Sequence, residues 1–155
     1  MNKVCIDAVE NRSGPAAVKR PLTEASGATD VALNYYELAP GDSFAYGYHS
    51  HESQEELFIV QEGRVTFDTE AGDVVVEAGE LIRFAPGEYQ QGHNRSDERA
   101  VALALGAPQD AGETDIRREC PTCEEQTSQT INIEEESAAR VTQCVECGSE
   151  TGRFE

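Results

Sequence analysis

Along most of the chain, short apolar runs alternate with turn residues, and the runs are interrupted too often to be helices. From Asp30 onward eight of them follow one another, over residues 31–38, 43–49, 55–60, 64–68, 73–77, 81–84, 89–93 and 100–105. The breaks are Pro40-Gly41-Asp42, Glu62-Gly63, Ala71-Gly72-Asp73, Gly79-Glu80 and Pro86-Gly87. Runs of this length, rich in β-branched and aromatic residues and bounded by Gly, Pro and Asp, predict strands. Eight strands spaced about ten residues apart, with no helical period among them, predict an all-β sandwich or barrel.

The flanks read differently. Residues 1–29 mix a brief apolar stretch with Gly14-Pro15 and Gly27, which predicts an irregular N-terminal arm with one strand at most. No chemistry is expected there. The barrel is expected over 30–107. Residues 108–118, with Pro108, Gly112 and several charges, read as a linker, and a second unit is expected over 119–155. Within it, 130–133 and 139–142 read as strands around the acidic turn Glu134-Glu135-Glu136, with Arg153-Phe154 adding a third.

Two clusters carry chemistry. In His49-Ser50-His51 one residue separates the imidazoles, so on a strand both project to the same face. Glu56 opens the next apolar run, where an antiparallel neighbour could bring its carboxylate beside them. Two neutral imidazoles and a carboxylate suit Fe, Mn, Ni, Cu or Zn and leave positions open for water or substrate. The second cluster is Cys120-Pro121-Thr122-Cys123 with Cys144-Val145-Glu146-Cys147. Two C-x2-C knuckles at that separation predict a closed four-thiolate site that holds structural Zn in a zinc ribbon. So small a unit buries little apolar surface, and the metal would supply its stability. The remaining Cys5 is expected to be an inert, partly buried thiol.

The spacing of the first cluster resembles the cupin family, whose first motif runs Gly-x5-His-x-His-x3–4-Glu-x6-Gly. Here His49, His51, Glu56 and Gly63 fit it, with Gly41 two residues too far away. The second motif, Gly-x5-Pro-x-Gly-x2-His-x3-Asn, is matched less well. Counted from Pro86 its histidine falls on Gln91, and His93, two residues on, shares the strand parity of Gln91. Alignment favours Gln91 as fourth ligand and ligand chemistry favours His93. The resemblance implies a double-stranded β-helix, the jelly-roll cupin barrel, with His49, His51 and Glu56 as metal ligands and a homodimeric assembly. By parity Phe44, Tyr46 and Tyr48 should face away from His49, and Tyr89 is the better candidate for a pocket wall. Arg83 is expected to be an outward edge charge.

Charge narrows the partners. The formal net charge is −18, from 30 acidic against 12 basic residues, and only Lys3 and Lys19 are lysines. Such a surface repels nucleic acid and anionic membranes, and at molar salt, where the Debye length is about 3 Å, its self-repulsion is screened. This composition resembles that of cytoplasmic proteins from extreme halophiles. The arginines of residues 110–155, Arg117, Arg118, Arg140 and Arg153, form no basic stripe, so no nucleic-acid partner is expected and protein contact is the better reading of the ribbon. The N-terminus lacks a basic-then-apolar leader and no apolar run is long enough to cross a bilayer, so a cytoplasmic protein is expected. Two functions compete. One is a metal-dependent enzyme, a dioxygenase or isomerase, acting on a small polar metabolite; the other is a ligand-sensing or regulatory barrel whose ribbon makes protein contacts.

Overall fold

The computed structural model describes residues 1–155 and is almost entirely β. A 3-10 turn, Ile6–Ala8, opens the chain, followed by β1 (Val18–Pro21) and α1 (Leu22–Ser26). The barrel strands are β2 (Ala32–Leu38), β3 (Tyr48–His51), β4 (Glu55–Glu62), β5 (Arg64–Thr69), β6 (Gly72–Glu77), β7 (Leu81–Phe84), β8 (Gln90–His93) and β9 (Ala100–Ala107). The C-terminal strands are β10 (Thr114–Cys120), β11 (Glu125–Ile133), β12 (Arg140–Cys144) and β13 (Glu150–Phe154). One sheet runs β1-β2-β9-β4-β7 and the other β13-β12-β11-β10-β3-β8-β5-β6. All pairings are antiparallel, and the inner faces of the two sheets enclose the core as in a double-stranded β-helix.

Period-two alternation explains which side chains enter the lumen. On β4, Glu56, Phe58 and Val60 point inward; on β9 the inward row is Ala100, Ala102, Ala104 and Gly106, paired with Leu38, Tyr36, Asn34 and Ala32 of β2. The row is small-sided throughout, so the residues it faces decide what fills the space. At one end an aromatic group closes the lumen: Phe44, Phe58, Phe67 and Phe84 have ring centroids 4.8–6.2 Å apart and pack with Leu38, Val60 and Val65. Toward Ala32, Ala104 and Gly106 nothing bulky replaces them, and a cavity remains.

Three sequence expectations change. Residues 43–47, expected as the start of a strand, are irregular, and regular pairing begins only at Tyr48. Their backbone turns inward instead, which places Phe44 and Tyr46 against the lumen. Gly47 permits this approach, because a Cβ there would lie 2.8 Å from the Arg117 carbonyl oxygen. The linker expected over 108–118 is a strand from Thr114 onward. β10 pairs on one side with β3, Ile116 opposite His49, and on the other with β11, so the ribbon continues a barrel sheet. The arm is more ordered than expected: β1 pairs with β2, Lys19 opposite Tyr36. No helix is long and apolar enough to cross a membrane.

Candidate metal centre

Strand geometry carries His49 and His51 to the lumen face of β3, and β4 brings Glu56 beside them. Glu56 Oε2 lies 3.7 Å from His49 Nε2 and 3.3 Å from His51 Nε2. The other ring nitrogens are held from behind. His49 Nδ1 lies 3.0 Å from the Gly47 carbonyl oxygen, and His51 Nδ1 lies 2.9 Å from Thr114 Oγ1. A carbonyl only accepts, so His49 Nδ1 carries the proton and its Nε2 is bare, the form in which imidazole ligates a metal. Burial works to raise the Glu56 carboxyl, but the His49 and His51 rings, when protonated, outweigh it by hydrogen bonding and charge and hold the group down at about 2. The carboxylate is therefore ionised and ready to act as a donor.

Gln90 is the fourth residue of the cluster. It sits opposite His49 on β8 and is buried. Its Nε2 donates to Glu56 Oε2 at 2.9 Å and lies 3.3 Å from His49 Nε2, while its Oε1 has no hydrogen-bond partner. A buried, unpartnered amide oxygen costs free energy unless something binds it. Turned about its amide axis, Gln90 would present that oxygen to an ion between the imidazoles. Donor chemistry and the orphaned oxygen thus both fit a divalent transition metal on His49, His51 and Glu56, with Gln90 completing the set.

The structure does not bring Gln91 or His93 there. β8 turns Gln90 and Gly92 inward and those two outward, where Gln91 Nε2 reaches the Ala45 carbonyl at 3.3 Å and His93 Nε2 lies 3.4 Å from Asp68. Burial lowers the His93 imidazole from its ordinary value, against the pull of Asp68. The sequence held the right signal: counted from Gly79, Gly87 and Asn94 rather than from Pro86, the second motif places its histidine at Gln90 and an alanine, Ala85, at its proline. Asn94 is fully buried and donates to the carbonyls of Leu38 and Glu98, fixing the turn after β8.

Other assignments divide. Tyr48 faces away from His49 as expected, and Tyr89 joins it on the outer face, stacked at 5.4 Å and donating to Asp115 at 2.5 Å; it is no part of the pocket wall. Phe44 and Tyr46, expected to face away, line the cavity. Arg83 is an outward charge on the edge strand β7, paired with Glu55. Cys5 is exposed rather than partly buried.

The cavity beside the cluster has a volume of about 230 Å3. Tyr36, Phe44, Tyr46 and Ile116 give it apolar walls, and Asn34, Gln54, Thr114 and Lys19 give it polar ones. Gln54 lies over Gly106, where a Cβ would come within 2.4 Å of its side chain, and donates to the Pro108 carbonyl at 2.8 Å. Sequence reading missed Lys19, because its direction follows from the cross-strand pairing with Tyr36 and from nothing local.

The cysteines converge as their spacing predicts. Cys120 and Cys147 have sulfurs 3.5 Å apart, Cys123 and Cys144 3.9 Å, and all four lie within 4.8 Å of one another. Four sulfurs at Zn–S distances of about 2.3 Å form a tetrahedron with edges of about 3.8 Å. No pair is near the S–S bond length of about 2.05 Å. Thr127 Oγ1 lies 3.1 Å from Cys144 Sγ, and the hydrogen bond lowers that thiol against the effect of burial, favouring thiolate. The two knuckles match: Glu124 N donates to the Cys120 carbonyl and Gly148 N to that of Cys144, with φ of 57° and 75°. The set fits a structural metal with no position left for substrate.

Residues 34–106 match the family described as Cupin domain, and the barrel is a cupin domain. Among solved structures, the chain resembles a sugar phosphate isomerase of the cupin superfamily from Silicibacter pomeroyi, at 22% identity and TM-score 0.62, covering 96% of this chain and 91% of that one. A putative sugar phosphate isomerase from Acidithiobacillus ferrooxidans is similar at 19% identity and TM-score 0.54, covering 89% and 74%. A Cupin 2 conserved barrel domain protein from Salinispora arenicola is similar at 21% identity and TM-score 0.58, covering 72% and 90%. At these identities the likeness is one of fold. No curated protein sequence matches the chain.

Proposed function

We propose that the barrel is a metal-dependent site that acts on a small polar metabolite, with isomerisation as the reaction class. The observation that carries this reading is the convergence of two imidazole Nε2 atoms and the Glu56 carboxylate on one point at the wall of an accessible cavity. When bound there, a divalent ion would polarise a carbonyl or hydroxyl oxygen of the ligand as a Lewis acid. His49, His51 and Glu56 would hold it, Gly47 and Thr114 would fix the imidazoles, and Tyr36, Phe44 and Ile116 would keep water from the face of the ligand. Isomerase is preferred to dioxygenase because two of the similar structures bear that name and their likeness extends past the barrel into the C-terminal strands. The acidic surface supports work in concentrated salt, where screening relieves its self-repulsion.

A sensing role is the second reading, favoured by one contact. Tyr46, which lines the cavity, packs edge-on against Phe154 of β13 at 5.0 Å, so the pocket wall and the ribbon touch. Metal analysis of protein purified in high salt tests the centre: His49→Ala should lose about one equivalent of metal per chain and keep the ion of the cysteine cluster. Equal metal contents in parent and variant would remove the barrel site. Turnover of small aldoses and ketoses by the metal-loaded parent separates isomerase from sensor, since tight binding without turnover would favour the latter.

A further inference from the structure

A protein with a net charge of −18 has few free cations, and most of its arginines are held by carboxylates, as Arg99 is by Glu37 and Glu62 and Arg95 by Asp68 and Asp73. Lys19 is different. It is the only cation lining the cavity, as Glu56 is the only carboxylate there, and no acidic group lies within ion-pair distance of it. Its Nζ rests 5.5 Å from the ring centre of Tyr36, the cross-strand partner that directs it toward the lumen.

More positive charge gathers next to it. Arg12 of the arm, whose backbone N–H donates to the Lys19 carbonyl at 2.8 Å, shares a groove with Arg140 of β12, where Arg140 Nη1 donates to the Ser13 carbonyl at 3.2 Å and Glu10 and Glu24 also stand. Burial lowers the Lys19 ammonium from its ordinary value, Arg12 and Arg140 lower it further, and only Glu56 opposes them. None of the three has a carboxylate within ion-pair distance, so an anion placed among them would relieve their mutual repulsion. All three lie outside residues 34–106, on segments that the chain adds to the cupin domain.

We infer that Lys19, supported by Arg12 and Arg140 of the neighbouring groove, binds the phosphate group of a small phosphorylated metabolite whose other end reaches the His49, His51 and Glu56 centre. The inference rests on the reading of that centre given above. A phosphate monoester carries a charge of about −1.5 to −2 at neutral pH and three acceptor oxygens, which three cations match better than they match a carboxylate. A cavity of about 230 Å3 is smaller than the roughly 300–1,000 Å3 of pockets for drug-sized ligands, so it takes a ligand of few carbons.

Calorimetric titration of the full-length, metal-loaded protein with glycerol 1-phosphate, with glycerate as the carboxylate probe, tests this. The parent should bind glycerol 1-phosphate at least about tenfold more tightly than glycerate; Lys19→Gln should weaken phosphate binding about tenfold or more, and Arg140→Gln about threefold. Both variants should keep the parent's metal content and melting temperature. Unchanged binding in Lys19→Gln, stronger Lys19-dependent binding of glycerate, or no binding of glycerol 1-phosphate to the metal-loaded parent would overturn the inference. Lys19-dependent phosphate binding by a parent whose barrel holds no metal would leave the anion site standing and remove the metal reading alone.

Discussion

The His49/His51/Glu56 group and the four cysteines are built by the same device, a pair of donors separated by one or two residues and completed by donors from another part of the chain, and they are suited to opposite tasks. In the ribbon four sulfurs lie within 4.8 Å of one another, and the protein supplies every donor. In the barrel three donors converge at the wall of a cavity, and the fourth residue, Gln90, leaves an oxygen without a partner. A closed set can only hold chain segments together, whereas an open one can exchange what it binds. What separates the two is the number of donors that the fold brings to the point and the room left beside it.

The comparison is broken most severely at the cysteines. Cys144→Ser should lose the ribbon metal and, since structural zinc contributes roughly 10–16 kcal/mol in comparable peptides, should unfold β11 to β13 or lower the melting temperature sharply. Metal content and thermal unfolding read this together. A variant that melted with the parent would show that the cluster is not what holds these strands. His49→Ala, by contrast, should lose its ion with only a small change in melting temperature.

Gln90→His sharpens the contrast from the other side. It removes the orphaned amide oxygen and adds a fourth strong donor, so competition against a chelator should show metal affinity rising about tenfold or more. Affinity equal to or below the parent's would mean that position 90 does not face the ion. The smallest effect is expected at Glu124, whose φ of 57° is a left-handed conformation that costs a side chain about 1 kcal/mol and glycine almost nothing. Glu124→Gly should stabilise the ribbon by about that amount in denaturant unfolding, making the first knuckle equivalent to the second, where Gly148 already stands.

Local spacing alone makes both clusters legible in the sequence. His-x-His fixes two side chains on one strand face, and C-x2-C closes one knuckle, whatever the rest of the chain does. The strands β4 to β9 are legible for the same reason. What escapes is set by pairing at a distance. β10 carries Asp115, Arg117, Arg118 and Glu119 with only one aliphatic residue, Ile116, so it reads as a charged connection; β3 and β11 on its two sides make it a strand. Lys19 escapes because its direction follows from Tyr36 of the next strand. Gln90 escapes through an anchor one residue off, since the proline after Gly79 stands one place later than the motif has it.

The position of β10 has a further consequence. β3 carries both histidines, and with β8 on one flank it would have an open row of amides and carbonyls on the other if β10 were absent. Such a rim is a template for strands of other molecules. The C-terminal extension is therefore also a guard for the metal-binding strand: a chain cut before Thr114 would keep His49, His51 and Glu56 in sequence, yet offer the strand that bears the histidines as a seam for self-association.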